Sequence, residues 1–289
     1  MAQVTAALVK QLREMTDSPM MECKKALVEA DGDIEKAVDV LRKMGVAKAV
    51  KRAGRDTNEG TVAAYVSEDG KTGALLELTC ETDFVGTNPK FTGFANDLAK
   101  VVAENDPADV DALLALPMGE DTVKDELTEM IHVIGENMKI ARFQRVTVEN
   151  GALASYIHLG GKLADITVFE FSKPETAQNE EFKTFAHDVC MQVAAIAPVS
   201  ARREDVPEDV IAHEKSIYMA QAADSGKPEF IQEKIALGKL EKFYKENVLT
   251  EQEFIKDSSM TIADLAKKVD KATGDTIQIT RFVRFAFGE

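Results

Sequence analysis

Side chains able to do chemistry are thinly spread along this chain. Its four histidines, His132, His158, His187 and His213, fall in different segments and include no HxxxH or HExxH spacing that would gather a metal ion. Cys23, Cys80 and Cys190 contain no CxxC pair and are too scattered for a disulfide framework. Cys80 could be a nucleophile if the fold brought a histidine to it; otherwise a lone cysteine in a strand is a small buried hydrophobe. Neither GxxxxGK[ST] nor GxGxxG occurs, so the chain is expected to hold no nucleotide of its own, and no cofactor or metal is expected. The carboxylates lie mostly on helix faces, where solvation accounts for them. What remains is Thr82-Asp83-Phe84-Val85, an aromatic beside an acid between a strand end and a helix start. A projecting ring next to a carboxylate has the composition of a recognition hot spot. The same spacing also allows Phe84 to fold into the core while Asp83 caps the coming helix.

An internal repeat singles out the same four residues. At a constant offset of 91, Gly60 falls on Gly151, Ala63 on Ala154, Tyr65 on Tyr156 and Gly70-Lys71 on Gly161-Lys162. Asn88, Phe91, Phe94-Ala95, Asp97 and Pro107 likewise meet Asn179, Phe182, Phe185-Ala186, Asp188 and Pro198. Opposite Thr82-Asp83-Phe84-Val85, however, stands Lys173-Pro174-Glu175-Thr176. Where two copies share a scaffold, function is to be sought in the loop where they part.

Each copy reads as β-hairpin, loop, helix. In the first, Val62, Ala64 and Val66 alternate, Glu68-Asp69-Gly70 turns, and 74–79 returns as a strand. Asn88 and Pro89 then suit the N-cap and first position of a helix with Phe91, Phe94, Ala95, Leu98, Val101 and Val102 on its inner face. Asn179 caps the second helix, whose stripe is Phe182, Phe185, Ala186, Val189 and Val193. A further helix over 123–135 and a strand over 139–148 close the first copy. In the second, two helical runs at 206–223 and 228–246, parted by Ser225-Gly226-Lys227-Pro228, precede a last strand over 276–287.

Residues 1–54 form a helical triplet. Val4, Ala7, Leu8, Gln11, Leu12 and Met15 set the first period, Asp31-Gly32-Asp33 separates the second helix from the third, and Ile34, Ala37, Val38 and Leu41 line the third. Its size and final helix resemble ubiquitin-associated-like domains. The expected fold class is α+β: a ubiquitin-associated-like domain at 1–54 and two related α/β subdomains with small antiparallel sheets, at 55–149 and 150–289. The second carries a helical-hairpin (coiled-coil) arm at about 206–246.

A formal net charge of −15 opposes nucleic acid as the main partner. The one basic concentration, Lys48, Lys51, Arg52 and Arg55, reads as a solvated linker, a patch for an acidic protein surface, or an RNA-binding or adaptor arm over 48–55. No apolar run approaches the roughly 18–20 residues that span a bilayer, and no signal core opens the chain, so a cytoplasmic address without membrane attachment is expected.

Several motifs together resemble translation elongation factor Ts. They are Leu12-Arg13-Glu14-Met15-Thr16, the run from Met20 to Leu27, Glu77-Leu78-Thr79-Cys80-Glu81-Thr82-Asp83-Phe84-Val85, Ile134-Gly135-Glu136-Asn137-Met138, and the run from Glu233 to Phe254. They span nearly the whole chain in the family's order. The resemblance implies a guanine-nucleotide exchange factor for elongation factor Tu, not an enzyme. It implies that Phe84 wedges between helices near the partner's Mg²⁺ site, with Asp83 beside it and Thr82 and Val85 shaping the loop. It also implies partner contacts from Arg13, Met20, Met21 and Lys24 and from His158, which stands where the first copy has Ser67. The arm is similar to one that dimerises as a coiled coil in some members, though its heptads are too few here to choose between monomer and homodimer. The sequence ends at Gly288-Glu289, where longer members continue into a C-terminal helical module, so those contacts are expected to be absent or replaced.

Overall fold

The computed structural model describes residues 4–223, 226 and 228–289; of the turn expected at Ser225–Pro228, Ser225 and Lys227 lie outside the described residues. Helix α1 (Ala6–Thr16) starts where the Thr5 hydroxyl accepts the Leu8 amide and stops where Asp17 turns left-handed, at φ 52°. Helices α2 (Met20–Glu29) and α3 (Ile34–Arg52) follow, α3 capped by Asp33 through the Lys36 amide. Val9, Leu12, Cys23, Ala26, Leu27, Ala37 and Leu41 make their shared core. The face expected for α1 is rotated: Ala7, Gln11 and Met15 are exposed, and Val9 joins Leu12 inside. Helix α1 meets both α2 and α3, and the stripe it turns toward them, Leu8, Val9 and Leu12, keeps helical spacing on a face centred one residue further along than expected.

Strands β1 (Glu59–Val66) and β2 (Thr72–Cys80) form the first hairpin, followed by the one-turn helix α4 (Asp83–Gly86) and the long helix α5 (Pro89–Asn105). A short helix α6 (Val110–Leu114) and the small hairpin β3 (Pro117–Met118) and β4 (Asp121–Thr122) lead into α7 (Val123–Ile134) and strand β5 (Met138–Thr147). The sheet order is β1-β2-β5. The alternation expected of Val62, Ala64 and Val66 in β1 does not survive folding, since Thr61, Val62 and Ala63 are buried in a row. Strand β2 is buried at every residue from Gly73 to Cys80, as befits a central strand covered on both faces. Its one charge, Glu77, is met by Arg142 Nε at 2.8 Å. The cap of α5 is as expected, with Asn88 accepting the Lys90 amide and Pro89 in the first turn. Helix α3 packs along α7, where Gly45 lies so close that a Cβ there would come within 3.3 Å of His132 Cβ.

Lys48, Lys51 and Arg52 of the basic stretch form the end of α3, and Arg55 lies just beyond it. Lys48 pairs with Glu22, Arg52 Nη1 donates to the Ile131 carbonyl at 3.4 Å, and Arg55 Nη1 meets Glu81 at 3.3 Å. Three of its four cations are thereby engaged within the fold.

The second copy repeats the plan with strands β6 (Gly151–His158) and β7 (Leu163–Glu170), helix α8 (Glu180–Ile196) capped by Asn179, and later strands and helices. Helices α9 (Glu208–Ala223) and α10 (Glu229–Asn247) pack together as the arm. Val206, Leu240, Phe243, Tyr244 and Val248 are buried together near the arm's base. Arg203 ties that base with two bonds to Glu241, both at 2.9 Å, and two to Glu251, at 2.7 and 2.6 Å. A hairpin of β8 (Glu253–Phe254) and β9 (Asp257–Thr261), helix α11 (Ile262–Thr273) and strand β10 (Gln278–Ala286) complete it, with antiparallel order β10-β7-β6. The core is aromatic: Phe169 meets Phe182 and Phe185 edge-on, at centroid distances of 5.6 and 5.7 Å. The chain is thus α+β. By their contacts its residues group into two units, one within 1–63 and 76–143, the other within 64–75 and 144–287.

Within the aligned span, helices α5 and α8 both end on a left-handed residue at φ 50°, Asp106 and Ala197, and the likeness continues beyond it. Helices α7 and α11 share a Thr–Asp capping box (Thr122 with Asp125, Thr261 with Asp264) and a left-handed glycine at the end, Gly135 and Gly274.

The second core holds an acid that the first lacks. Asp165, Thr167 and Cys190 stand where the first copy has Ala74, Leu76 and Ala99. Asp165 is wholly buried in β7, opposite Arg284 of β10, and its Oδ1 has no hydrogen-bond partner. Burial pushes its carboxyl up from 3.8 to about 8, against smaller lowering effects of Cys190, Thr167 and Arg284. Between those two values the folded chain holds a proton that the unfolded chain has released, so stability falls as pH rises across that window. Replacing Asp165 by Asn should flatten this slope and raise the urea midpoint more at pH 9 than at pH 5.

Candidate functional site

The strand β2 ends at Cys80, and the chain makes the single turn α4 before entering α5. Thr82 caps that turn, its Oγ1 accepting the Val85 amide at 3.4 Å. At the other end Thr87 donates its amide to the Asp83 carbonyl at 3.1 Å and its hydroxyl to the same oxygen at 3.2 Å. Val85 turns inward, and Gly86 lies against β1, where a Cβ would come within 3.2 Å of the Gly60 carbonyl. With Val85 and Gly86 buried, Asp83 and Phe84 face outward. Phe84 is 84% exposed, the most exposed large apolar side chain among the described residues. Asp83 accepts the Phe84 amide at 2.9 Å through Oδ1; it does not cap α5, a role filled by Asn88. The ring projects from the surface.

Sequence reasoning assigned no role to the residues beneath this turn. Glu136, directly after the helix-ending Gly135, accepts the amides of Glu81 at 3.1 Å and Thr82 at 3.0 Å through one oxygen. Its other oxygen accepts the Thr82 hydroxyl at 2.7 Å. Glu81 in return accepts the Asn137 amide at 2.6 Å, and the Asn137 side chain donates to the Arg55 carbonyl at 2.8 Å. In the second copy Asp275, directly after Gly274, accepts the Lys173 amide at 2.7 Å and the hydroxyls of Ser172 and Thr176 at 2.8 and 2.9 Å. Burial raises the Asp275 carboxyl, but these bonds and one from the Thr276 amide outweigh it and hold the group well below the usual carboxylate range. The signal was present as an acid following a helix-ending glycine in both copies.

Arg13, Met20, Met21 and Lys24 are all exposed on α1 and α2. Asp17, in the turn between those helices, pairs with Lys90 of the first turn of α5 at 2.8 Å. The α1–α2 turn and the Phe84 turn therefore border the same helix start. His158 is exposed at the end of β6, its Nδ1 3.1 Å from the Tyr156 hydroxyl. Although the histidines are remote in sequence, Tyr156 lies between two of them, stacked on His158 at 5.8 Å and edge-on to His187 at 5.5 Å.

The remaining candidates are structural. Cys80 is buried, and its thiol donates to the Thr82 carbonyl at 3.1 Å. His132 is buried in α7, with Nε2 3.5 Å from Glu22, and burial lowers its pKa. Among the described residues no group of three or more His, Cys, Asp or Glu side chains could hold a metal ion. No described helix is long and apolar enough to cross a membrane.

Comparison with known proteins agrees across the chain. Residues 81–289 match the family model described as Elongation factor TS. Elongation factor Ts of Clostridium perfringens is 47% identical over 289 residues, covering 99% of this chain and 93% of that protein. Elongation factor Ts of Chloroherpeton thalassium is 44% identical over 293 residues, covering both chains completely.

The outward ring makes a clear thermodynamic prediction. Phe84→Ala should change unfolding stability by less than about 0.5 kcal/mol in urea denaturation, as for an ordinary surface substitution. A buried phenylalanine such as Phe91 should cost about 3–5 kcal/mol on the same change.

Proposed function

The chain belongs to the elongation factor Ts family and is a translation elongation factor; from that premise we propose that it is the guanine-nucleotide exchange factor of elongation factor Tu, with Phe84 as its wedge. The observation that carries this reading is the exposed phenyl ring on a one-turn helix whose neighbours are anchored. A ring inserted between helices beside the partner's Mg²⁺ site moves the ion's ligands. Mg²⁺ demands near-ideal octahedral geometry, so a small displacement weakens its hold and that of GDP. Asp83 accompanies the ring into the partner; Thr82 and Val85 give the turn its shape. This chain performs no covalent step, and GTP binds once GDP has left.

Magnitudes show that the ring does not act alone. Burying one phenyl group contributes roughly 1.5–3 kcal/mol, about one to two decades of affinity. Linkage requires GDP to weaken binding of this chain by the factor with which the chain weakens GDP. A larger coupling needs further contacts, and Arg13, Met20, Met21, Lys24 and His158, all exposed, are the side chains proposed to supply them. The RNA-binding alternative is less well supported, because Lys48, Arg52 and Arg55 are engaged internally and the chain's formal charge is −15.

Release of a fluorescent GDP from elongation factor Tu tests the proposal. Phe84→Ala should fold as the parent does and lower stimulated release by about ten- to a hundredfold, the worth of one buried ring. Undiminished stimulation by that variant would rule out the wedge.

A further inference from the structure

We propose that Glu136 is a positioning residue for nucleotide exchange, holding the α4 turn in its docking shape before the partner arrives; this rests on the exchange reading above. An isolated helical turn does not persist, because its nucleation cost exceeds the gain from a single hydrogen bond. The four-residue turn Asp83–Gly86 must therefore be held from outside. Glu136 does so with both oxygens, taking the amides of Glu81 and Thr82 on one and the Thr82 hydroxyl on the other. That hydroxyl accepts in turn from the Val85 amide, so one carboxylate fixes the strand exit and, through Thr82, the first amide bond of the turn. Gly135, left-handed at φ 90°, ends α7 and aims the next residue at the loop.

The second copy separates the clamp from the wedge. Asp275 holds Ser172, Lys173 and Thr176 in the same manner, yet the turn above it, Pro174–Gln178, carries no large apolar side chain: exposed Glu175 stands at the place of Phe84, while Thr176 is buried as Val85 is. The carboxylate sets the loop's path in both copies; only in the first does that path aim a ring. A loose loop would bury the same ring but lose backbone freedom on docking.

A mutant cycle read by fluorescent-GDP release tests this on the full chain. Glu136→Ala should lower stimulated release by about tenfold, the scale of ordering roughly one backbone residue on binding. Glu136→Gln should restore near-parental release, because its amide oxygen can take both backbone amides while its NH₂ donates to the Thr82 hydroxyl. In a Phe84→Ala background, Glu136→Ala should cause no further loss. Losses that multiply, or a Gln variant as impaired as Ala, would overturn the proposal, the latter pointing to the charge acting directly on the partner. Asp275→Ala should lower the unfolding midpoint and leave release unchanged; an equal fall in release would make the Glu136 effect one of general destabilisation. If Glu136→Ala does not fold, Thr82→Val breaks the same relay at the hydroxyl and enters the same cycle. Amide hydrogen exchange over 81–87 in the free protein gives a readout independent of the partner. Faster exchange in Glu136→Ala supports the clamp even if Phe84→Ala shows the exchange reading to be wrong, and unchanged protection overturns it.

Discussion

Both copies of the repeat depend on one carboxylate placed after a left-handed glycine. Gly135 and Gly274 end α7 and α11, and the acids that follow accept the amides and hydroxyls of the chain leaving the central strand. That chain has just left β2 or β7, strands buried over most of their length, and the carboxylate takes up backbone donors that no longer have a neighbouring strand to pair with. A carboxylate suits the task because it accepts several bonds at once, and bonds to a charged acceptor are stronger than neutral ones. Strand exit, helix end and the entry of the closing strand are joined at a single point.

On that support an exposed phenylalanine becomes tenable. An apolar ring left in water forgoes the stabilisation of burial, and a flexible loop would tend to fold it back. Here Val85 and Gly86 already occupy the inward positions, and Thr82 is committed to Glu136 and to the Val85 amide. The ring stays outside because the residues around it are spoken for, which leaves its burial energy available to a partner. Small charged contacts then set the margin of the surface, as where Asp17 meets Lys90 beside the same helix start.

Divergence between the copies follows the same logic. The first copy kept an apolar interior at Ala74, Leu76 and Ala99 and put its distinctive residues on the surface turn. The second took polar groups inside at Asp165, Thr167 and Cys190 and exposes Pro174 and Glu175, not an aromatic ring, on its turn. A buried acid with an unmet oxygen costs stability, a cost the first copy avoids by holding Ala74 at the same place.

Much of this was legible in the sequence because it depends on neighbours along the chain. Asn88-Pro89 and Asn179 marked helix starts, phenylalanines at helical spacing marked the buried faces of α5 and α8, and the offset of 91 marked the duplication and the loop that breaks it. Other features depend on residues brought from afar. The inner face of α1 follows from the two helices it meets, the burial of both faces of β2 from its central place in the sheet, and the end of the basic stretch from partners at Glu22, Glu81 and Ile131. Spacing alone left Phe84 free to point in or out. Local sequence determined that a turn stands there with a ring on it; the contact of Thr82 with Glu136, 54 residues away, and the close seat of Gly86 on Gly60 decided that the ring points out.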